Sequence, residues 1–331
     1  MRLRRKLPVL FGLLLFVAAV AIVIVLRKHA PPEAARLLPG ADGFVYVDLK
    51  WMRRAEIAKN LPAVPHDPEY EQFIQATGFQ FERDLQEAAV AIHYPGPGTG
   101  SETRFSEVAI AKIDGDRMRA YFKKLAASTE TYRAIEIYDI PIENRMLRIA
   151  ILGVNMLAAS NHGDPAVIHG IIDRSRRLAS PFGGPALLRQ FYKQVPLASL
   201  AWAIFRLPPE NAIAAGPANY TLYGLSIEKG ATIVASIRYL GAIHFRAEAF
   251  TSDEDAAGKL TQQVSAFVSV FRSAEMSASS RATDPDIKKS LDSLKVFQHK
   301  NRTVMTATVP VEVIRKIVAE APVQMGGSSQ Q

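Results

Sequence analysis

The chain contains no cysteine. That excludes disulfide staples, thiolate metal sites, iron–sulfur clusters, a cysteine nucleophile and a lipidated-cysteine anchor. It does not fix the compartment, because a domain of this size needs no staple. A serine-nucleophile elbow of the form Gly-x-Ser-x-Gly is also missing; Gly224-Leu225-Ser226-Ile227-Glu228 comes nearest and lacks the second glycine. The run Pro95-Gly96-Pro97-Gly98-Thr99-Gly100 continues into Ser101-Glu102 and a strand, without the Gly-Lys-Ser/Thr of a phosphate loop. It reads as a hairpin tip.

Histidines do not cluster. His162 and His169 stand seven apart, whereas metal pairs on a helix favour i, i+4 and zinc needs a third ligand nearby. Turn chemistry accounts for Asn161-His162-Gly163-Asp164-Pro165 without a metal. His66, His93, His244 and His299 occur singly. The acids beside apolar strands, Asp48, Asp114, Asp139 and Glu143, are the remaining candidates for a paired-carboxylate site. Asp114 and Asp116 are more simply helix caps, and Asp48 more simply closes a strand. No catalytic, cofactor-binding or metal-ligating residue follows from these patterns, and no cofactor is expected.

Charge is present in excess of one sign, with 40 Lys and Arg against 32 Asp and Glu, but its placement argues against nucleic acid. Arg2, Arg4, Arg5, Lys6, Arg27 and Lys28 lie in the first 28 residues, which hold no acid. The rest of the chain carries 34 basic and 32 acidic residues. A domain that neutralised many phosphates would carry its excess on the folded part.

What the sequence does have is a long apolar run. From Pro8 to Leu26 nineteen residues pass without a charge. As a helix rising ~1.5 Å per residue this spans nearly ~30 Å, the thickness of a hydrocarbon core. Signal peptides have shorter apolar regions before a small-x-small cleavage site. Ala19-Val20-Ala21 fits that site, but cleavage there would leave an apolar terminus over 22–26. The expectation is an uncleaved single-pass signal-anchor in the plasma (inner) membrane, with the cleaved signal peptide as the other reading. The basic cluster Arg2 to Lys6 places residues 1–7 in the cytoplasm and the following domain outside it.

Residues 27–40 read as a linker stiffened by prolines, and 323–331 as a disordered polar tail. Between them strand and helix signals alternate. Strands are predicted over 44–49, 88–94, 105–113, 134–140, 148–152 and 156–160. A short helix over 69–77 is closed by Gly78. Asp116 starts a helix with Met118, Tyr121, Phe122 and Leu125 on one face. Asp164-Pro165 starts another, with Val167, Ile168, Ile171 and Ile172 as its apolar face. Pro181-Phe182-Gly183-Gly184-Pro185 then breaks the pattern.

After that break, strands are predicted over 199–207, 220–228, 231–239 and 244–250. The last alternates Phe245, Ala247 and Ala249 against His244, Arg246 and Glu248, which marks an antiparallel sheet with one wet face. Ser252 with Asp255 caps a long helix striped by Ala256, Leu260, Val264, Phe267, Val268 and Phe271. Asp284-Pro285 opens a short helix, a hairpin turns at His299-Lys300-Asn301-Arg302, and Pro310 starts the last helix. The fold class is α+β, with mainly antiparallel sheet and helices packed on one face. It divides into two related halves at 41–180 and 181–322, or forms one continuous domain with recurring hairpins.

The opening Leu38-Pro39-Gly40-Ala41-Asp42-Gly43-Phe44-Val45-Tyr46-Val47-Asp48 resembles that of uncharacterised bacterial membrane-anchored envelope proteins. So do Gly78-Phe79-Gln80-Phe81-Glu82-Arg83-Asp84-Leu85 and the stretch from Asp284 to Ile317. The resemblance implies membrane anchoring and supplies no functional residues. Trp51-Met52-Arg53-Arg54 offers an aromatic with positive charge that fits either lipid headgroups or a helix start. The expected function is a non-catalytic extracytoplasmic binding or scaffold module of the cell envelope, engaging a protein, glycan or lipid. The alternatives are a hydrolase whose site is assembled by the fold and a carrier of lipid or another hydrophobic ligand.

Overall fold

The computed structural model describes residues 30–54, 66–95, 102–176, 183–208, 219–222, 225–278 and 285–320. The expected anchor from Pro8 to Leu26, its basic tail, most of the glycine-rich run after Pro95 and the C-terminal tail lie outside the described residues. Among the described residues no helix is long and apolar enough to cross a membrane.

Helix α1 (Glu33–Leu37) leads into strand β1 (Gly43–Asp48), which passes directly into helix α2 (Leu49–Arg54). Helices α3 (Pro68–Thr77) and α4 (Phe81–Asp84) precede strands β2 (Leu85–His93) and β3 (Arg104–Ala111). Helix α5 (Gly115–Leu125) is followed by β4 (Ser128–Tyr132), β5 (Ile135–Ile142), β6 (Arg145–Ile151) and β7 (Met156–Ser160). Helices α6 (Ala166–Arg176) and α7 (Ala186–Phe191) lead to β8 (Ser199–Arg206). A separate hairpin of β9 (Asn219–Leu222) and β10 (Leu225–Glu228) comes before β11 (Thr232–Tyr239) and β12 (Ile243–Phe250). The chain ends through α8 (Glu254–Ala278), α9 (Pro285–Ser293), β13 (Lys295–His299), β14 (Arg302–Val309) and α10 (Val311–Glu320).

Twelve strands form one sheet in the order β13-β14-β12-β11-β8-β1-β2-β3-β7-β6-β5-β4, every neighbouring pair antiparallel. The protein is therefore α+β, built on a large antiparallel sheet. The order has a centre at β1 and β8, which pair with Val45 opposite Ala203. Outward from β1 run β2, β3 and β7; outward from β8 run β11, β12 and β14. In each arm a helix (α5 or α8) leaves after the third strand, and a later strand returns to pair beside it. A short helix precedes each central strand, and a helix follows each returning one.

Alternation in the strands sorts side chains to two dry faces. On the first, Phe44, Tyr46, Ala89, Val108, Trp202 and Ile204 pack with α1, α6 and α7 through Leu37, Ile168, Ile171 and Leu188. On the second, Met118 and Phe122 of α5 pack with Tyr138, Ile149 and Leu157, and Leu260 and Val264 of α8 pack with Ile233 and Ala249. Single strands show both: Ile137 belongs to the first cluster and Tyr138 to the second, and Val234 and Ile233 divide likewise. The expectation of helices on one face is thus corrected. Each arm carries helices on both sides, because each face of the sheet presents an apolar cluster for a helix to cover.

The polar row expected on β12 is present, and one end of it is drawn inside. Its His244, Arg246 and Glu248 lie on the first face, opposite Thr308, Thr306 and Val304 of β14. Glu248 is only 2% exposed. A period of two reports alternation and does not say which row meets water. Here only Glu248 is buried, held by Arg246 on its own strand and by Arg302 on β14, while His244 and Arg246 stay half-buried.

Smaller departures follow from local chemistry. Leu49 begins α2 rather than ending β1, with Asp48 accepting from the Trp51 amide at 2.9 Å. Trp51 itself is exposed at the start of that helix, and Arg53 donates to the Leu85 carbonyl. The polar strand β4 has no apolar alternation and forms the sheet edge beside β5. The strand predicted over 220–228 is instead the β9–β10 hairpin. The long helix α8 is capped by Asp253, which accepts from the Ala256 amide at 2.8 Å, while Ser252 bonds Glu228.

Two apolar cavities on one face of the sheet

The second face of the sheet holds one cavity under α5 and another under α8. Under α5 a space of about 260 Å³ is floored by Glu107, Ala109, Ile149, Leu157 and Ala159 and roofed by Met118 and Phe122. Under α8 a space of about 380 Å³ is lined by Ile227, Ile233, Ala249, Leu260, Val264 and Met305. Small residues on the strands make the room. Ala109, Ala159, Ala247 and Ala249 place methyl groups where larger side chains would close the gap between sheet and helix.

The sequence sets the mouth of the α5 cavity through a tight aromatic turn. Gly78 ends α3 with φ of 72°, and its amide donates to the Ile74 carbonyl. A side chain there would be strained by that backbone, and its Cβ would come within 2.8 Å of Arg117. Arg117 in turn donates to the Gln75 and Ala76 carbonyls, tying the end of α3 to α5. Beyond the turn Phe79 and Phe81 meet edge to face at 5.1 Å, and Phe73 lies 5.9 Å from Phe81. The Tyr70 hydroxyl accepts from the Phe81 amide and donates to Glu82, which holds this rim.

Glu107 is the one acid in the α5 cavity lining. It lies mid-strand on β3, opposite Val90 of β2 and Ala159 of β7. Burial raises its pKa above the usual carboxylate range, with no neighbouring charge contributing. Among the described residues no hydrogen bond or ion pair reaches its carboxyl. No local motif marks it; it shares a strand face with Ala109, which also lines the cavity floor.

The sequence candidates distribute mostly into structural roles. Asp114 caps α5 by accepting from the Asp116 and Arg117 amides. Asp139 accepts from the Ser128 hydroxyl and lies 3.6 Å from Arg148. Glu143 is exposed in a turn at φ of 50°. His169 stacks on Tyr132 at 4.1 Å and pairs with Glu130 at 3.0 Å. His244 contacts the Thr308 hydroxyl at 3.2 Å, His66 pairs with Glu71 at 2.7 Å, and His299 is exposed.

One set does converge. His93 Nε2 lies 3.1 Å from the Ser106 hydroxyl, which is 3.0 Å from the Ser160 hydroxyl, and the His162 ring stands 5.1 Å from that of His93. Burial, followed by the His162 charge, depresses the His93 pKa to about 4, so the ring is neutral at pH 7. Among the described residues no carboxylate hydrogen-bonds either imidazole. His162 Nδ1 instead accepts from the Asp164 amide. Ser106 is 0% exposed and Ser160 2%. A nucleophile needs a surface that substrate can reach, and these hydroxyls have none. The set is a buried polar network that satisfies strand ends.

No protein-family model and no curated protein sequence matches the chain. The chain is similar to solved structures of TP0453. Its crystal form IV has 9% identity, with 88% of this chain and 98% of that chain covered and a TM-score of 0.44. Crystal form III has 9% identity, with 87% and 99% covered and a TM-score of 0.46.

Proposed function

We propose that this chain is a non-catalytic binding module of the cell envelope that holds the apolar chain of a lipid or other hydrophobic ligand between its sheet and helices. One observation carries the reading: two cavities with almost wholly apolar linings lie on the same sheet face, one under each of the helices α5 and α8. Apolar walls bind by removing hydrocarbon surface from water, worth roughly 25 cal/mol per Å². A glycan would need converging donors and acceptors to replace its hydration, and such groups are nearly absent from both linings.

The module is anchored by a single pass from Pro8 to Leu26 and faces outward from the plasma membrane. The uncharged length of that run and the Arg2–Lys6 cluster support the placement. The two arms of the sheet are related halves of one duplicated unit. Support comes from the matching order of strands and helices on either side of β1 and β8.

Isothermal titration of the full chain in amphipol with n-octanol tests the binding. Saturable uptake with a negative heat-capacity change is expected, and it should weaken when Ala159→Phe fills the α5 cavity. Heat no different from that of protein-free amphipol would sink the reading. For the placement, protease added outside spheroplasts should digest the domain, and protection until lysis would reverse the orientation.

A further inference from the structure

The two cavities differ in one group. The α8 cavity has Glu248 at its edge, but that carboxylate is engaged by Arg246 and Arg302 at 2.6 and 2.8 Å. The α5 cavity has Glu107 and no cation. A strand residue whose neighbours across the sheet are Val90 and Ala159 has no packing need for a carboxyl, since valine or alanine would fill the row without penalty. Glu107 is only partly exposed, and drawing an unpaired acid partly out of water costs free energy unless something supplies its partner. The same cavity is lined by the aromatic side chains of Phe73, Phe79, Phe81 and Phe122. Ring faces attract cations, and a carboxylate beside them completes the usual environment for an organic ammonium group.

We propose that the α5 cavity is selective for a cationic amphiphile, an alkyl or aryl chain ending in an ammonium group, with Glu107 as the counter-ion and the phenylalanine cluster as the chain's enclosure. This rests on the cavity-binding reading and names its ligand class. A primary alkylamine, like the lysine side chain, is protonated at neutral pH and can donate to the carboxylate from inside the cavity. A fatty acid would bring a second negative charge to Glu107 and is disfavoured. A neutral alcohol gains the apolar burial alone.

The experiment titrates the full chain in amphipol at pH 7 with n-octylamine, n-octanol and n-octanoate, for the wild type and Glu107→Gln. Protein-free amphipol corrects for partitioning. The wild type should bind n-octylamine at least tenfold more tightly than n-octanol, and n-octanoate least tightly. Glu107→Gln should weaken the amine and bring it within about twofold of the alcohol. If n-octanol binds but the amine gains nothing, or keeps its gain in Glu107→Gln, the ligand class is overturned and the cavity reading stands. If none of the three binds, both fall.

Discussion

Two carboxylates occupy corresponding strands of the two arms and have opposite surroundings. Glu107 is on β3 and Glu248 on β12, each the third strand out from the centre of the sheet. Glu248 turns to the first face, where Arg246 and Arg302 flank it and Arg302 also reaches Gln194 and lies over the Phe250 ring. Glu107 turns to the second face, is only partly buried, and lines the α5 cavity with no ion-pair partner among the described residues. A buried charge with its partners built in belongs to the scaffold; a half-buried one without them marks a place where the scaffold is incomplete. The contrast teaches that burial alone does not separate structure from function, and that pairing does.

The largest expected effect breaks the satisfied side. Arg302→Ala would leave Glu248 buried against Arg246 alone and should cost about 3–5 kcal/mol in urea denaturation. Adding Glu248→Gln should recover part of the loss. A cost below about 1 kcal/mol would show that the pair is not what holds the β12–β14 wing.

The next concerns the buried network near the end of β2. His93 has a folded pKa of about 4 against 6.5 when free, so the unfolded chain takes up the proton first. Stability should fall as pH drops from about 6.5 to about 4, by up to roughly 3 kcal/mol, and then level off. Denaturation midpoints across that range should show the slope in the wild type and lose it in His93→Gln.

A smaller effect acts on the roof of one cavity. Asp114→Ala removes the cap of α5 and should cost about 1 kcal/mol. Chain binding under α5 should weaken while binding under α8 is unchanged, which site-resolved chemical shifts would report. Equal weakening at both sites would contradict the independence of the two cavities.

Smallest is the change at the unsatisfied carboxyl. Its pKa is raised in the fold, so its stabilising contribution is complete below the unfolded carboxylate pKa and is lost as pH rises through the folded value. Glu107→Gln should leave stability at pH 7 unchanged or raised and should flatten that part of the pH profile. Destabilisation would mean that Glu107 has a structural partner, and the contrast with Glu248 would dissolve.

Much of the scaffold was legible in the sequence because it is written in local periodicity. Met118 and Phe122 are buried as the helical spacing predicts, although Leu125 of the same predicted face is exposed; Ile168, Ile171 and Ile172 are buried, and Gly78 takes the left-handed conformation past a helix end. What was not legible depends on residues far apart in the chain. The sheet order rests on pairings such as Gly43 with Phe205 and Ser106 with Ser160. The dry environment of Glu248 depends on Arg302, fifty-four positions later. Glu107 looked like an ordinary strand acid, and only the meeting of β3 with α3 and α5 encloses it. Its place on one strand face with Ala109 was the one available sign.

A crystal structure of the protein grown with 1-bromooctane, read by anomalous scattering from bromine, tests the cavities directly. Bromine peaks are expected between the sheet and α5, beside Phe122, and between the sheet and α8, beside Val264. Bromine found only on the outer surface, with both cavities closed or filled by their own side chains, would contradict the cavity-binding reading.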